Sequence, residues 1–546
     1  MKKTKKILSV VMSFVMIFTI VIPAFAVEKK KCDCGTAPVV QVRGIGETLY
    51  DGDGNEIFSA DNIVNGVLPA VPKLAEFLVT MDIDTLVEAL DSAVTAIFGP
   101  VAYDNNLNRD SVVTVKDYTS DPVETYKDMT SEGSGSETTL SQAVYNDLGE
   151  KHSYLFIYDW TGNPFDIAED LNQFIQEVKE KSGHDKVSIC AESMGGSMTN
   201  TYLALYGYDD VQNLVMANSA FNGLEMIGQL YIGNPEIDGY ALGGLITQSI
   251  YGNAEYASLI PYIPLFKDLA NLANYLFEVA GDRIYEEILI PVFGYLPSFW
   301  AFVPEYHFEE AVDLMLQGAG PELLNFVNDY YEKVASKTTE RVKEMVASDD
   351  VNYFCVSNYN KFIAPVTKTA RWNSDGVIET YNTSGFATVA NMGETLGKDY
   401  VQKVNNGKDM VSPDNVVDVS TAQAPMQTWI TKNWGHIAYN HNDGTCDFYM
   451  WLLTAKEQYT VESNPQYPQF MYYNEEIPML MPYTCGSGDV TGDGSVSAVD
   501  AMLVLKATAG IYCATEEQLM NGDMNCDDAL TASDARIILK MVAESE

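Results

Sequence analysis

The chain has 546 residues, of which 76 are acidic and 33 basic, and its formal net charge at pH 7 is −43. This length is too great for one ordinary domain, so at least two domains are expected. A negative charge of this size repels nucleic acid and anionic membrane surfaces, and it therefore excludes both as expected partners.

The N-terminus has the pattern of a secretory signal peptide over residues 1–26. Lysines precede an apolar stretch from Ile7 to Ile22, and Ala24-Phe25-Ala26 supplies the small residues of a cleavage site. We therefore expect a secreted, extracellular protein. Export permits disulfides among the eight cysteines, but their spacing assigns no pairs, and no CxxC pair or His/Cys cluster in the sequence indicates zinc.

The region from about residue 37 to residue 463 alternates apolar runs with amphipathic helices, which predicts an α/β sheet fold. One amphipathic helix is predicted from about residue 167 to residue 181. The predicted strands cover residues 39–42, 154–160, 186–190, 214–217, 353–357 and 428–433.

Ser193 lies between the strand that ends at Cys190 and a helix-like stretch over 198–206. A serine hydroxyl becomes an effective nucleophile when it is exposed on a sharp turn, beside a base and facing N–H donors. Ala191 and Gly195, two residues before and after the serine, are small enough to let such a turn close. This A-x-S-x-G pattern, between a strand and a helix, predicts a nucleophilic serine.

A long segment, from roughly residue 222 to residue 348, separates the strand at 214–217 from the strand at 353–357. It is too long for a simple connection. Its dense apolar residues have helical spacing, which predicts a helical cap over the active site that lines an acyl-sized pocket. Most of these apolar residues are expected to form the core of the cap itself.

Three short motifs carry a family resemblance: Tyr158-Asp159-Trp160, Ser193-Met194-Gly195-Gly196, and the segment 296–300 that leads to Pro304. With them the chain resembles the lipase and acyltransferase branch of the α/β-hydrolases, near its lecithin–cholesterol acyltransferase-like and glycolipid-deacylase-like members. The resemblance implies an α/β-hydrolase sheet with a large helical cap and catalytic residues in the order serine, acid, histidine.

The resemblance also implies an oxyanion hole made from two backbone amides. By position these are the N–H groups of Met194 and Ile45, with Gly44 allowing close approach. Arg43 stands where the family usually has histidine. Gly44 and Gly46 also fit a simpler role as turn glycines.

The catalytic base in this order is a histidine late in the chain. Of five histidines, only His436 and His441 follow the other core strands. His436 comes directly after the predicted strand 428–433, so we predict that it is the base. His441 is less well placed.

Two aspartates are candidates for the acid. Asp414 lies in a segment that resembles the lipase pattern Asp-Gly-x-Val-Pro-x-x-Ser, and it precedes His436 by 22 residues. Asp375 resembles the same pattern and follows the strand at 353–357 more closely. We favour Asp414 and keep Asp375 as the alternative, although either side chain also suits an Asx turn.

The C-terminal segment contains the same calcium-loop pattern twice, offset by 34 residues. Oxygen side chains at loop positions 1, 3, 5 and 12, with a backbone carbonyl at position 7, are the EF-hand ligands of a hard cation. The predicted ligands are Asp489, Thr491, Asp493, Ser495 and Asp500 in the first loop, and Asp523, Asn525, Asp527, Ala529 and Asp534 in the second.

The residues that follow the two loops also match, so each half is predicted as a calcium loop and one amphipathic helix. Over residues 488–546 this arrangement resembles a dockerin. The resemblance implies two bound Ca²⁺ ions and, as partner, a cohesin module of a scaffold protein. It also implies that Ala498-Val499 and Ala532-Ser533 lie at recognition positions. Residues 464–487 are then the linker.

Together these features predict a secreted serine hydrolase that cleaves carboxylic esters, of lipids or of acylated polysaccharide, and is attached to a scaffold. Ser193, His436 and Asp414 would form its triad, with no cofactor for catalysis. Three alternatives stay open: a non-catalytic binding module on the same fold, an acyltransferase with the same triad, and another kind of polysaccharide-degrading enzyme.

Overall fold

The protein is described by a computed structural model, in which the predicted signal peptide lies outside the described residues. The described ranges are 31–46, 48–58, 65–115, 137–250, 263–436, 443–474, 478–526 and 529–545. Within these ranges no helix combines the length and the apolar character needed to cross a bilayer.

The centre of the large domain is an eight-stranded sheet with the strand order β10-β9-β8-β5-β4-β3-β1-β2. Every neighbouring pair is parallel except β9 and β10, which are antiparallel. These strands are β1 (Val39–Val42), β2 (Ser153–Phe156), β3 (Val187–Glu192), β4 (Val211–Ala217), β5 (Asn352–Tyr359), β8 (Thr428–Lys432), β9 (Phe470–Asn474) and β10 (Met479–Pro482). A separate antiparallel pair consists of β6 (Thr388–Val389) and β7 (Val417–Asp418). The predicted α/β sheet is confirmed.

Helices cover both faces of the sheet, which explains why its central strands are continuous apolar runs. Alternate residues of β4 point to opposite faces, so Leu214 and Met216 join one core cluster while Val215 and Ala217 join the other. Between β1 and β4 lie α1 (Ala70–Thr80), α2 (Ile83–Phe98), α3 (Glu137–Leu148), α4 (Pro164–Ser182) and α5 (Met194–Tyr206). The helix predicted at 167–181 is α4.

The segment predicted as a cap is helical in its described parts. It contains α6 (Glu225–Tyr231), α7 (Gly239–Ile250), α8 (Ile263–Ile284), α9 (Pro297–Trp300), α10 (Phe308–Met315), α11 (Pro321–Lys333) and α12 (Thr338–Ala347). A π-helix over Tyr285–Gly294 continues α8. Helices α1 and α2, inserted between β1 and β2, also join this layer, because Phe98 packs on Phe293 with ring centroids 4.9 Å apart. The sequence analysis did not predict this second insertion.

The end of the large domain differs from the prediction. Strands β9 and β10 lie within residues 464–487, which were predicted to be a linker. Parallel pairing of β9 with β8 extends the sheet, and β10 folds back beside β9. After β5 the remaining helices of this domain are α13 (Thr380–Thr383) and α14 (Thr445–Leu453).

The C-terminal segment is a small helical unit with internal symmetry. Its helices are α15 (Ala498–Thr508), α16 (Glu516–Gly522) and α17 (Ala532–Ser545). Ala501 and Val504 of α15 pack with Ala535 and Ile538 of α17, each of which lies 34 residues further along the chain. The repeat seen in the sequence therefore forms one shared core. A disulfide joins Cys485 to Cys526.

Candidate active site and calcium loops

Ser193 stands on a sharp turn between β3 and α5. Its backbone has φ 52° and ψ −125°, a combination that costs free energy for a residue with a side chain and is typical of functional sites. The serine is partly exposed, whereas the residues on either side of it are buried. The strand–turn–helix geometry predicted around Ser193 is therefore present.

Two glycines let the chain close around this turn. A Cβ atom on Gly44 would lie 2.5 Å from Cβ and 2.8 Å from Oγ of Ser193, and one on Gly195 would lie 2.1 Å from the carbonyl oxygen of Val42. Since these separations are shorter than any real contact, only glycine fits at either position. The loop that follows β1 thus lies directly against the serine.

The predicted oxyanion donors belong to the residue after Ser193 and to the loop in which Gly44 lies against the serine. Met194 is the first residue of α5, and its amide is among the N–H groups of a first helical turn that have no acceptor within the helix. Ile45 follows Gly44 and has an exposed side chain. Arg43 is buried, and its carbonyl oxygen accepts a hydrogen bond from the Tyr158 hydroxyl at 2.7 Å. This bond fixes the loop that carries Ile45.

His436 pairs with Asp375. Its Nδ1 lies 2.7 Å from Oδ2 of Asp375, whose side chain is fully buried. The other carboxylate oxygen accepts the backbone N–H groups of Val377 and Ile378, both at 2.8 Å. Asp375 therefore forms an Asx-type turn and contacts the histidine at the same time. With Nδ1–H donating to Asp375, Nε2 carries the lone pair of the ring.

Asp414, the favoured acid in the sequence analysis, lies elsewhere. Its Oδ2 accepts a hydrogen bond from the Tyr359 hydroxyl at 2.7 Å and lies 3.2 Å from Nζ of Lys432, in an ion pair whose two side chains are buried. Its Oδ1 accepts a hydrogen bond from Ser412. The structure thus separates the two candidate acids: Asp375 contacts His436, while Asp414 pairs with a buried lysine at the end of β8.

Two asparagines that the sequence analysis missed hold the histidine loop. Asn218 donates its side-chain N–H to the carbonyl oxygen of His436 at 2.6 Å, and Asn358 donates to that of Gly435 at 2.9 Å. The two are linked, because the backbone N–H of Asn358 donates to Oδ1 of Asn218. Polar residues at the carboxyl ends of parallel strands are the signal that would have indicated them.

Ser193 and His436 are connected through the turn that follows β4. The amide of Ser193 donates to the carbonyl of Ala217 at 3.3 Å, and the amide of Ala220 donates to the carbonyl of Ser193 at 2.9 Å. Between these two residues, Asn218 contacts the backbone of His436. Nε2 of His436 is buried and has no hydrogen-bond partner among the described residues. His441, the second candidate base, lies outside them.

A second polar cluster is buried beneath the start of α6. The Glu379 carboxylate accepts the amides of Glu225 and Met226 at 3.0 and 2.9 Å. Burial, and then the nearby Glu225, raise the pKa of Glu379 to about 8. Burial opposes ionisation of Glu225 too, but hydrogen bonds led by those from His307 and Tyr306 outweigh it and lower the pKa of Glu225.

The first calcium loop has the shape expected for a bound hard cation. Asp489 at position 1 accepts the amides of Gly492, Asp493 and Gly494 at 2.7–3.1 Å, which turns the loop inward. Asp500 at position 12 is fully buried although it carries a carboxylate. Thr491 donates its amide to Asp500, and Ser495 donates its amide to Asp493. These oxygen-rich residues fit a Ca²⁺ ion.

The second loop repeats this arrangement where it is described. Asp534 at position 12 accepts the Thr531 amide at 2.8 Å, as Asp500 accepts that of Ser497 in the first loop. Cys526 has a positive φ at position 4, as Gly492 does at the same position. The ends of the loop, Asp523 and Asp534, are buried, while Asn525 and Ala529 lie between them. Asp527 lies outside the described residues.

Comparison with known proteins identifies the C-terminal unit. Residues 487–543 match the family model of the dockerin type I domain. This segment is a dockerin. Dockerins bind calcium, and the module implies attachment to an extracellular cellulosome through a cohesin. No curated protein and no solved structure matches the chain.

Proposed function

We propose that the large domain is an α/β-hydrolase that cleaves carboxylic esters with a Ser193–His436–Asp375 triad, and that the dockerin carries it to a scaffold outside the cell. The observation that supports this most strongly is the 2.7 Å contact between His436 and the buried Asp375. It occurs at the edge of the sheet where the strained Ser193 stands.

The order of these residues along the sheet supports the proposal. Ser193 follows β3, Asp375 follows β5 and His436 follows β8, and all three strands run parallel. Their carboxyl ends meet at one edge, which is where ligands bind in open α/β sheets. The sequence order of serine, acid and histidine is the order that the α/β-hydrolases use.

Each residue has a defined role in the proposed reaction. The Ser193 hydroxyl attacks the acyl carbon while Nε2 of His436 takes its proton and then delivers it to the leaving alcohol. Asp375 keeps the proton of the neutral ring on Nδ1 and stabilises the imidazolium. The amides of Met194 and Ile45 stabilise the oxyanion. Water, activated by the same histidine, releases the acid and restores the serine.

We propose that aromatic side chains of the helical layer give the substrate pocket an apolar character. Four aromatic side chains from its two insertions and from the end of β2 form a chain of ring contacts: Phe58 packs on Trp160 at 5.1 Å and on Phe98 at 5.7 Å, and Phe98 packs on Phe293. Such a wall suits an acyl chain or an aromatic acid. We therefore propose esters of lipids or acylated polysaccharide as the substrate class.

A fluorophosphonate probe, which labels activated serines, tests the proposal. We expect the wild-type protein to be labelled, Ser193→Ala to be unlabelled, and the exposed-serine variant Ser463→Ala to be labelled like the wild type. A panel of aryl esters, triglyceride and acetylated xylan then ranks substrates. If the folded wild-type protein neither reacts with the probe nor hydrolyses any ester, the proposal fails and the alternative of a non-catalytic binding module is supported.

We also propose that the dockerin holds two Ca²⁺ ions, one in each loop. The side chains of Asp489, Asp493 and Asp500 would hold the first, and those of Asp523, Asn525 and Asp534 would contribute to the second. Bound calcium would supply the positive charge that offsets the carboxylates clustered in each loop.

A further inference from the structure

Four side chains able to bind a metal meet at the edge of the sheet opposite Ser193, where the strands begin. Cys32 and Cys34 precede β1, His152 immediately precedes β2, and His184 precedes β3. Because β1 lies between β2 and β3 in the sheet, the segments that lead into these three strands converge. The four ligand atoms all lie within 4.8 Å of one another.

The separations fit a tetrahedral metal site. Sγ of Cys34 lies 3.2 Å from Nε2 of His152 and 3.5 Å from Nε2 of His184. Bond lengths of about 2.3 Å for Zn–S and about 2.0 Å for Zn–N place neighbouring ligands of a tetrahedron about 3.3–3.8 Å apart. The two imidazole rings lie edge to face with centroids 5.2 Å apart, and the Nε2 atoms of both lie within 3.5 Å of the same sulfur.

Hydrogen bonds hold the segment that carries the two cysteines. The amide of Cys32 donates to the carbonyl of Gly183 at 2.9 Å, next to His184. On the other side, Nζ of Lys456 donates to Thr36 Oγ1 at 3.0 Å and to the carbonyl of Gly35. The segment that carries both cysteines is thus fixed at two points, and its ligands are preorganised.

We propose that Cys32, Cys34, His152 and His184 bind one zinc ion. Two thiolates and two imidazoles are a ligand set that zinc prefers, and calcium, a hard cation, does not. Each thiol releases its proton to solvent when its sulfur binds the metal. Four protein ligands leave no position for water or substrate, so this zinc is structural and takes no part in ester cleavage.

The position of the site defines what the metal does. It ties the N-terminal segment 31–36 to the loops before β2 and β3, and so holds the entrance of β1. The other end of β1 leads to Gly44, which lies against Ser193. Zinc bound only by the folded chain stabilises it by mass action. Its removal should therefore lower the melting temperature of the large domain, and zinc content is measurable whether or not the protein is an esterase.

The test is the metal content of the mature protein, expressed with zinc and purified under mild reducing conditions. Elemental mass spectrometry should find one zinc per chain in the wild type and in Cys513→Ser, which changes an exposed free cysteine outside the cluster. Cys34→Ser and His152→Ala should each lose zinc. Cobalt added to the zinc-free protein should give the absorption bands of a tetrahedral thiolate complex.

A measurement on the unaltered chain covers the case in which these variants do not fold. A chelator that prefers zinc to calcium should remove the metal and expose two additional reactive thiols, which peptide mapping should assign to Cys32 and Cys34. A wild-type protein that contains no zinc, or whose Cys32 and Cys34 form a disulfide, overturns the proposal. So does zinc that stays bound in both ligand variants.

Discussion

The dockerin and the large domain assemble their functional residues over very different lengths of chain. Each proposed calcium loop would take its ligands from 12 consecutive residues, and the shared core uses residues one repeat apart, such as Val504 and Ile538. The candidate active site combines Gly44, Ser193, Asp375 and His436, which the sheet brings together. The dockerin thus depends on local loops and a metal, and the active site depends on long-range packing. A substitution that disrupts the candidate active site should leave the dockerin intact, and loss of calcium from the dockerin should leave the candidate active site intact.

The largest effect is expected for Asp375→Asn. The amide oxygen of asparagine still accepts the Val377 and Ile378 amides, but its NH₂ group cannot hold the Nδ1–H tautomer of His436. Ester hydrolysis should fall about 10³–10⁴-fold, as in other Ser-His-Asp triads that lose their acid. The measurement is kcat/KM on the best ester. Unchanged cohesin binding would show that the dockerin is independent of the large domain. Activity within tenfold of wild type would remove Asp375 from the triad.

Calcium removal should weaken cohesin binding and leave the reactivity of Ser193 unchanged. Without the cations, the buried carboxylates of Asp500 and Asp534 repel the other acidic side chains of their own loops. The dockerin should therefore lose its order. Cohesin affinity should fall more than about 100-fold in chelator, and added calcium but not zinc should restore it. Labelling of Ser193 by fluorophosphonate should not change. Cohesin binding that survives the chelator would contradict the calcium-dependent dockerin.

Asp414→Asn distinguishes the roles of the two candidate acids, Asp375 and Asp414. The variant leaves the Lys432 ammonium buried without its carboxylate, a change that costs about 3 kcal/mol or more of unfolding free energy. Urea unfolding measures this loss, and Asp375→Asn serves as the comparison. The folded fraction of Asp414→Asn should keep its kcat. A variant of normal stability that has lost its activity would return Asp414 to the catalytic group.

The smallest effect concerns pH. The folded chain keeps a proton on Glu379 up to about pH 8, whereas an unfolded glutamate releases it near its ordinary pKa of 4.5. Unfolding free energy should therefore fall as pH rises from 5 to 8, by about 1–3 kcal/mol more in wild type than in Glu379→Gln. The variant Glu340→Gln, which changes an exposed glutamate, should have the same pH dependence of stability as wild type. Neither substitution should change cohesin binding. Equal pH slopes for wild type and Glu379→Gln would disprove this.

The sequence predicts features whose signals are local. The strands around Ser193 are apolar runs, and the small residues beside the serine reveal the turn. Asp375 and Asp414 have the same local pattern, and only the path of the chain after β5 decides which of them reaches His436. Lys432 is the one charged residue of the buried strand β8, which indicates that a carboxylate is needed there as a counterion.

Other features were missed for similar reasons. Strands β9 and β10 are short and flanked by prolines, a composition that also fits a linker. The metal-binding cluster joins residues 118 and 150 positions apart, so no spacing rule detects it. Asn218 and Asn358 gain their role only when β4 and β5 lie side by side.

The pairing of β9 with β10 also determines how far the large domain can move from the dockerin. Strand β10 ends at Pro482 and the dockerin begins at residue 487, so only residues 483–486 connect them. Fully extended, this connection spans about 14 Å, whereas the predicted linker of 464–487 would have spanned about 80 Å. The domain therefore cannot search a large volume on a tether. The proposed ester substrate would therefore have to lie close to the scaffold itself.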